Sequence, residues 1–514
     1  MTRMTRREFL GATAAMASSP LVGDCRSAGP SNAIPRKRPN LLLVFSDQQS
    51  RDMLGCYGNE QILTPNLDRF AGEGVRFDHC VSSSPVCTPF RGMLLTGRHP
   101  LYTGAYTNDR PLLINNGKTF GQVLQEAGYR TGYVGKWHLL GGDRNRPIPA
   151  GAARFGFDDL FASNNCHVDF RPGKCYYWNE AGEKVFFDEW EVYGQTRQAL
   201  SFLDQARADE PFALFVSWHP PHDWGLHRDS LIYKYDTLPE LMALYDPQKI
   251  RLRPSAREHP HLREAYHGYY AMCSGVDRAF GWLLDILREK GLEGNTLVVY
   301  TSDHGDNLAS YGYHVAKDHP EDTSTRIPFV LRWPGGLPGR RTSDLLLGAM
   351  DMMPTLLGLM GLPVPAGLHG QNLAHAIRSG DDDAVASQPL FFYNPSWHGV
   401  YTRDVTYGCG ELRHFAHGED GKVTFRTDPV RVLYDRRDDP YQLNNLYDQP
   451  KARSLRQKME QLTDQWRRRF GYSGAPDAKQ LDPLYQMPDG SWPQDVQAEG
   501  FPGLPIELVN RKRV

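Results

Sequence analysis

No stretch of this 514-residue chain holds the roughly 20 consecutive apolar residues that a membrane-spanning helix needs, so no membrane span is predicted. A charge excess of one sign is also missing. The 58 Lys and Arg against 60 Asp and Glu leave a formal net charge of -2, without the basic surplus by which nucleic-acid binders are read. A nucleic-acid partner is therefore not expected. Cysteines are few and scattered: the eight, at 25, 56, 80, 87, 166, 175, 273 and 409, form no CxxC pair and no zinc-ligand spacing. That excludes a zinc-stapled fold, and leaves Cys166 with Cys175 as the closest candidate disulfide pair away from Cys87. No internal repeat is present, which excludes a solenoid.

What is there begins at the N-terminus. Arg6 and Arg7 precede Phe9, Leu10 and a mildly apolar, Ala-rich run, the pattern of a twin-arginine export signal. It implies a bacterial protein handed to the twin-arginine (Tat) export machinery after folding, and so a periplasmic or secreted one. Cys25 invites a lipid anchor, but Asp24 stands where a lipobox has a small residue, and anchoring is the lesser reading.

Four apolar runs, "NLLLVFSDQQ" (40 to 49), "YRTGYVGKWH" (129 to 138), "PFALFVSWHPPHDW" (211 to 224) and "NTLVVYTSDHGD" (295 to 306), each end in polar residues. Near-continuous apolar runs suit strands buried on both faces. Helical patterns lie between them at 64–75, 118–129, 194–206 and 263–291. Strand alternating with helix predicts an α/β fold, a large mixed but mainly parallel sheet between helices, with ligands beyond the carboxyl ends of the strands. After a polar stretch at 378–389, short strand-like segments and a charged amphipathic helix at 451–470 predict a smaller C-terminal α+β domain. The expected division is 1–35 signal and linker, 36–380 catalytic domain, 381–475 subdomain and 476–514 a surface-wrapping tail rich in Pro, Gly and Asp.

The polar strand ends carry the chemistry. Asp47 and Gln48 end the first strand, and Asp303 and His304 the fourth; two carboxylates, an amide oxygen and an imidazole suit a divalent cation. Lys136 and His138 follow the second strand, His219 and His222 the third, and Lys317 lies in the loop after the fourth. Cations and imidazoles around a metal describe a pocket for a tetrahedral oxyanion, with histidines as general acid or base. Cys87, in "CTPFRGMLLTG", should sit just before a helix whose first turn holds Pro89 and whose end is Gly97. A packed thiol is the commoner fate of a lone CxP, but CxPxR opening a helix that ends in ThrGly is far more specific.

Those residues make the chain recognisable. "CTPFRGMLLTG" resembles the motif of the type I sulfatases, of the alkaline phosphatase superfamily, in which the cysteine is converted to formylglycine by a maturation enzyme. "SDQQSRDMLGCYGN", "GYVGKWHL", "HPPH", "SDHGD" and "KDHPEDTSTRIP" resemble further blocks of the family, in order, over roughly residues 38 to 470. The resemblance implies Asp47, Gln48, Asp303, His304 and the modified Cys87 as metal ligands. Arg91 and Lys136 would hold the formylglycine, and His138, His222 and Lys317 would handle protons and sulfate charge. One hydroxyl of the hydrated aldehyde would attack sulfur, and the second would expel sulfate. Calcium is the first choice from the resemblance, with magnesium or manganese open because nitrogen is an unusual calcium ligand. Phe90 replaces the small residue usual before Arg91, which bears on recognition by the maturation enzyme.

The implied activity is sulfate-ester hydrolysis on a sulfated carbohydrate. Alternatives are a phosphonate monoester or phosphodiester hydrolase of the same superfamily and a non-catalytic glycan-binding protein. The intact set of Arg91, Lys136, His222 and Lys317 weighs against the last. Loops at 163–182, 224–230, 310–315 and 394–399 hold residues suited to stacking on an anionic sugar, and Trp224, His314 and Trp397 are the candidate substrate contacts.

Overall fold

A computed structural model describes residues 38–113, 117–207, 209–313, 315–417 and 422–470. The export signal, Cys25, His314 and the 476–514 tail lie outside the described residues.

The four apolar runs form the centre of one sheet. In space its ten strands run Arg341–Gly348, Val75–Val81, Phe329–Arg332, Thr296–Ser302, Asn40–Ser46, Phe212–Trp218, Arg130–Lys136, Leu160–Asn164, Tyr176–Trp178 and Lys184–Phe186. The five from Thr296–Ser302 to Leu160–Asn164 are mutually parallel, and antiparallel strands flank them on either side. Both faces are covered, as the unbroken apolar runs require. Leu41, Leu43 and Phe45 enter one core with Phe90, Met93 and the Ala349–Met360 helix, while Leu42 and Val44 enter the other with the Leu262–Glu289 helix. Alternate side chains of one strand thus serve opposite layers.

Register then fixes the site. Ser46 pairs with Ser302 on one side and Trp218 on the other, and Gly135 pairs with Ser217. The residues that follow, Asp47, Asp303, His219 and Lys136, therefore emerge along one edge at the carboxyl ends of parallel strands. Among the described residues no helix is long and apolar enough to cross a membrane.

The C-terminal segment forms a second, antiparallel sheet of Leu390–Tyr393, Trp397–Tyr401, Val405–His417 and Val423–Asp435. The Arg453–Arg469 helix packs on it through Met459, against Val400, Tyr407 and Leu433. The disulfide candidate is not formed: Cys166 and Cys175 are both free, and the Cys175 thiol points at the Arg171 and Glu189 carbonyls at 3.2 and 3.4 Å.

Candidate active site

Cys87 opens the Cys87–Thr96 helix, preceded by extended Val86. It stands within the first turn, one step further in than its sequence position suggested, and Pro89 is the third helical residue. Gly97 closes the helix in the left-handed conformation at φ 61°. All ten helical residues are buried. Phe90, the unusual residue before Arg91, faces the core, its ring 6.4 Å from that of Phe45. Its bulk is absorbed by packing and does not enter the site.

Four side chains converge on the Cys87 sulfur: Sγ lies 3.6 Å from Asp47 Oδ1, 3.3 Å from His304 Nε2, 3.5 Å from Lys136 Nζ and 3.3 Å from Lys317 Nζ. Burial raises the thiol pKa, as does Asp47, but Lys136, Lys317 and His304 outweigh them and hold it well below the usual value. Lys136 Nζ also donates to Asp47 Oδ2 at 2.6 Å. Lys317 Nζ donates to Gln48 Oε1 at 2.9 Å and lies 2.7 Å from His222 Nε2. Burial lowers the Lys317 pKa, yet Cys87 and Asp47 reverse this, so its ammonium stays charged.

Arg91 differs from expectation. It binds Asp47 Oδ2 at 3.0 Å and Asp303 Oδ2 at 3.2 Å through Nη2, while Nη1 donates to the Lys136 carbonyl at 2.7 Å and Ser217 Oγ at 2.6 Å. No bond to Cys87 is formed; the guanidinium fixes the two carboxylates and ties the helix to two strands.

Asp47, Cys87, Asp303 and His304 offer ligand atoms that all lie within 4.8 Å of one another. Burial, and then the neighbouring Asp47, push the Asp303 carboxyl up to about 6. Lys136, His222, Lys317 and His304 overcome burial at Asp47 and keep it well below the ordinary range. Two buried carboxylates crowded together, one of them frustrated, are a donor set that a divalent cation would relieve. The residues fit a hard cation, with His304 as the nitrogen ligand.

Gln48 completes that set in a way its position alone does not reveal. Its backbone is left-handed at φ 67° and its N–H donates to Asp303 Oδ1 at 3.0 Å. Its amide nitrogen donates to Asp223 Oδ2 at 3.1 Å and Asp306 Oδ2 at 2.7 Å, and Tyr235 Oη donates to the same Asp306 oxygen at 2.5 Å. Two carboxylates claim the NH2 group, so Oε1 must face the site. Gly305 permits the fold of this loop: a Cβ there would lie 2.0 Å from the Thr323 carbonyl.

The histidines divide into three kinds. His138, at φ 55°, places Nε2 3.0 Å from Asp109 Oδ1, and Arg144 in turn grips Asp109 with two bonds of 2.7 Å. With the proton on Nε2, buried Nδ1 keeps its lone pair and has no partner. Burial lowers the His138 pKa against the pull of Asp109 and Cys87. His222 puts Nδ1 2.6 Å from the Asp223 carbonyl, which leaves Nε2 to face Lys317. His219 is fully buried with neither ring nitrogen bonded, between Phe170 and His222 at 5.0 and 5.1 Å, and burial keeps it neutral.

Of the substrate-contact candidates, Trp224 is 45% exposed. Trp397 is a correction. It is fully buried, and its Nε1–H donates to the Asp318 carbonyl at 2.9 Å, so it braces the residue after Lys317 and offers no face to a sugar. Asp109, Asp223, Ser217, Tyr235 and Asp306 are the functional neighbours that sequence reading passed over. Asp223 and Asp306 each end or follow a quoted motif, "HPPH" and "SDHGD", and adjacency was their one signal.

Residues 39–362 match the family model described as Sulfatase, and residues 312–469 the one described as N-sulphoglucosamine sulphohydrolase, C-terminal. The ulvan-active sulfatase of Formosa agariphila is 31% identical over 82% of this chain and 80% of its own. The uncharacterized sulfatase YidJ of Escherichia coli is 30% identical over 92% of this chain and 98% of its own. Among solved structures, a 4S-sulf protein of Bacteroides thetaiotaomicron glycosaminoglycan metabolism superposes with a TM-score of 0.74 at 26% identity, covering 85% of this chain and 97% of that one.

Proposed function

Because this chain belongs to the sulfatase family and so hydrolyses sulfate esters, we propose that it removes sulfate from carbohydrates, with residue 87 as formylglycine and one divalent cation beside it. The observation that carries this reading is the convergence on Cys87 Sγ of two ammonium groups, a buried carboxylate and an imidazole, all within 3.6 Å. The ulvan-active relative and the Bacteroides thetaiotaomicron endo-4-O-sulfatase, 29% identical over 80% of this chain and 88% of its own, support the carbohydrate class. Arg6 and Arg7 support delivery by twin-arginine export to the periplasm or beyond.

Asp47, Gln48, Asp303 and His304 would hold the cation, most simply Ca2+, which when bound supplies Lewis-acid charge to the sulfate and acidifies a neighbouring hydroxyl. Residue 87 as hydrated formylglycine supplies two hydroxyls on one carbon, one to attack sulfur and one to release sulfate without outside water.

The remaining work falls to side chains already in place. Lys136 and Lys317 present fixed positive charge where the sulfate oxygens gather, in a buried site where such charge acts most strongly. Arg91 holds Asp47 and Asp303 in register and spans helix and strands. The leaving alcohol takes its proton from the Lys317–His222 pair, whose Nζ and Nε2 lie 2.7 Å apart. His138 Nδ1, oriented by Asp109, accepts a proton from residue 87.

The test is to co-express the chain with a formylglycine-generating enzyme, weigh the peptide carrying residue 87, and measure sulfate release from sulfated sugars and aryl sulfates. Conversion at residue 87 together with sulfate release is expected. A fully converted residue 87 and no release from any sulfate ester would overturn the proposal, and hydrolysis of an aryl phosphodiester instead would redirect it.

A further inference from the structure

Two residues beyond His222 the chain leaves the reaction centre and borders a second concavity. Asp223 holds the Gln48 amide, and Trp224, next in sequence, is fixed by an N–H bond to the Lys234 carbonyl at 3.1 Å on the neighbouring hairpin. Beside the exposed indole opens a cleft of about 380 Å³, lined by Phe170, Arg171, Trp190, Asp236 and Thr237 as well, within the ~300–1,000 Å³ of small-molecule sites. Phe170 is shared with the centre, because its other contact is His219, and His219 packs on His222. Whatever fills the cleft is linked to the His222–Lys317 pair through Phe170 and His219.

The lining has the chemistry of a sugar site. It offers the half-exposed indole of Trp224 as an aromatic surface, together with the polar side chains of Asp236 and Thr237. Those groups suit a sugar, whose hydroxyls bond to polar side chains while its apolar face stacks on an indole. Anion recognition is absent. Among the described residues Arg171 is the one cation lining the cleft, and it is already engaged by Asp169 through bonds of 2.8 and 2.6 Å. Asp236, also in the field of Arg171, and Asp169 share that single counter-charge, so the lining carries an excess of negative charge. Lys234, which does not line the cleft, sets its ammonium 5.3 Å from the Trp224 ring centroid. A second sulfate or a carboxylate would meet a wall of net negative charge.

We infer that the Trp224 cleft is a subsite for an uncharged sugar ring joined to the sulfated one, so that this chain reads the neighbour of the residue it desulfates. The inference rests on the sulfatase reading and deepens it. An enzyme built this way favours oligosaccharides with a neutral hexose or N-acetylhexosamine beside the sulfate over free monosaccharide sulfates and over densely sulfated chains.

The experiment uses the full, matured chain and four probes: 4-methylumbelliferyl sulfate, an N-acetylhexosamine monosulfate, and the same monosulfate extended by one uncharged or one sulfated hexose. Kinetics and calorimetric binding are measured for wild type, Trp224→Ala and Thr237→Val, each checked for an unchanged melting profile. The uncharged extension should lower KM and Kd about tenfold, the size of one aromatic sugar contact of ~1.4 kcal/mol. That gain should vanish in Trp224→Ala and shrink in Thr237→Val, and the sulfated extension should bring none. An equal gain from the sulfated extension, no gain in wild type, or a gain kept in Trp224→Ala would each overturn the subsite. Absence of sulfate release from all four probes by the matured chain would instead overturn the sulfatase reading, and calorimetry would still decide the subsite.

Discussion

Asp306 touches no sulfate-binding group, yet its replacement by Asn should weaken cation binding. Its Oδ2 accepts from Gln48 Nε2 at 2.7 Å and from Tyr235 Oη at 2.5 Å, while Oδ1 takes the Leu308 N–H at 2.9 Å. In Asp306→Asn the carbonyl oxygen satisfies Leu308 and the new NH2 faces the Gln48 NH2, donor against donor. Gln48 then gains by rotating its amide, which turns its nitrogen toward the cation site. A hydrogen bond to a charged group contributes about 1.5–3 kcal/mol, and 1.4 kcal/mol is tenfold in affinity. A loss of about tenfold to a hundredfold follows, the range found when the support of a metal ligand is removed. The assay is calorimetric titration of Ca2+, Mg2+ and Mn2+ into chelator-stripped wild type and Asp306→Asn, with melting curves in cation-free buffer to show that the variant folds. Affinities within twofold of wild type for all three ions would refute the orientation argument.

Other outcomes follow from the same geometry. Cys87→Ser should release one equivalent of alcohol from a chromogenic sulfate and retain the mass of one sulfuryl group on residue 87, because a single hydroxyl can attack but cannot expel; multiple turnover would sink the two-hydroxyl reading. Lys317→Ala and His222→Ala should each lower kcat about 10²–10⁴-fold, the scale of general acid catalysis and oxyanion stabilisation, and the double variant should fall far short of the product of the two, since they share one proton. Asp351, buried and accepting the Gly348 and Gln371 N–H groups at 2.7 and 2.6 Å, is pushed up to about 6 by burial. The folded state therefore binds the proton more tightly than the unfolded chain, and this contribution to stability is present at low pH and lost as pH rises from about 4 to 6, by about 3 kcal/mol. The stability difference between wild type and Asp351→Asn, followed by urea denaturation, should change across that window; a constant difference would refute the assignment. Trp397→Phe removes the bond that braces Asp318 and should lower kcat severalfold while leaving cation affinity intact, as turnover and calorimetry can separate.

The site was legible from the sequence to the extent that strands announce their ends. The run at 40–46 suits a doubly buried strand, and once four such runs lie parallel their terminal residues have to meet. Asp47, Asp303 and Lys136 accordingly sit together, and Cys87 joins them from the helix that follows the Val75–Val81 strand. The orientation of Gln48 was not legible, because its partners Asp223 and Asp306 lie 175 and 258 residues away and nothing local links them. Arg91 was assigned to residue 87 by the family resemblance, whereas with Cys87 in place the structure turns it to two carboxylates that follow adjacent strands. Trp397 failed for a different reason: a tryptophan in a polar loop reads the same whether its indole faces solvent or, as here, an Asp318 carbonyl that only the tertiary fold supplies.

The depth at which Cys87 lies sets a timetable. The thiol is 1% exposed, on a helix with no exposed residue. An enzyme that modifies this sulfur has to reach it before that helix docks. Twin-arginine export, in contrast, accepts a chain that has already folded. Under the proposed maturation and export, conversion of residue 87 would belong to the nascent chain, ahead of folding, and a molecule that folded too soon would leave with its chemistry sealed off.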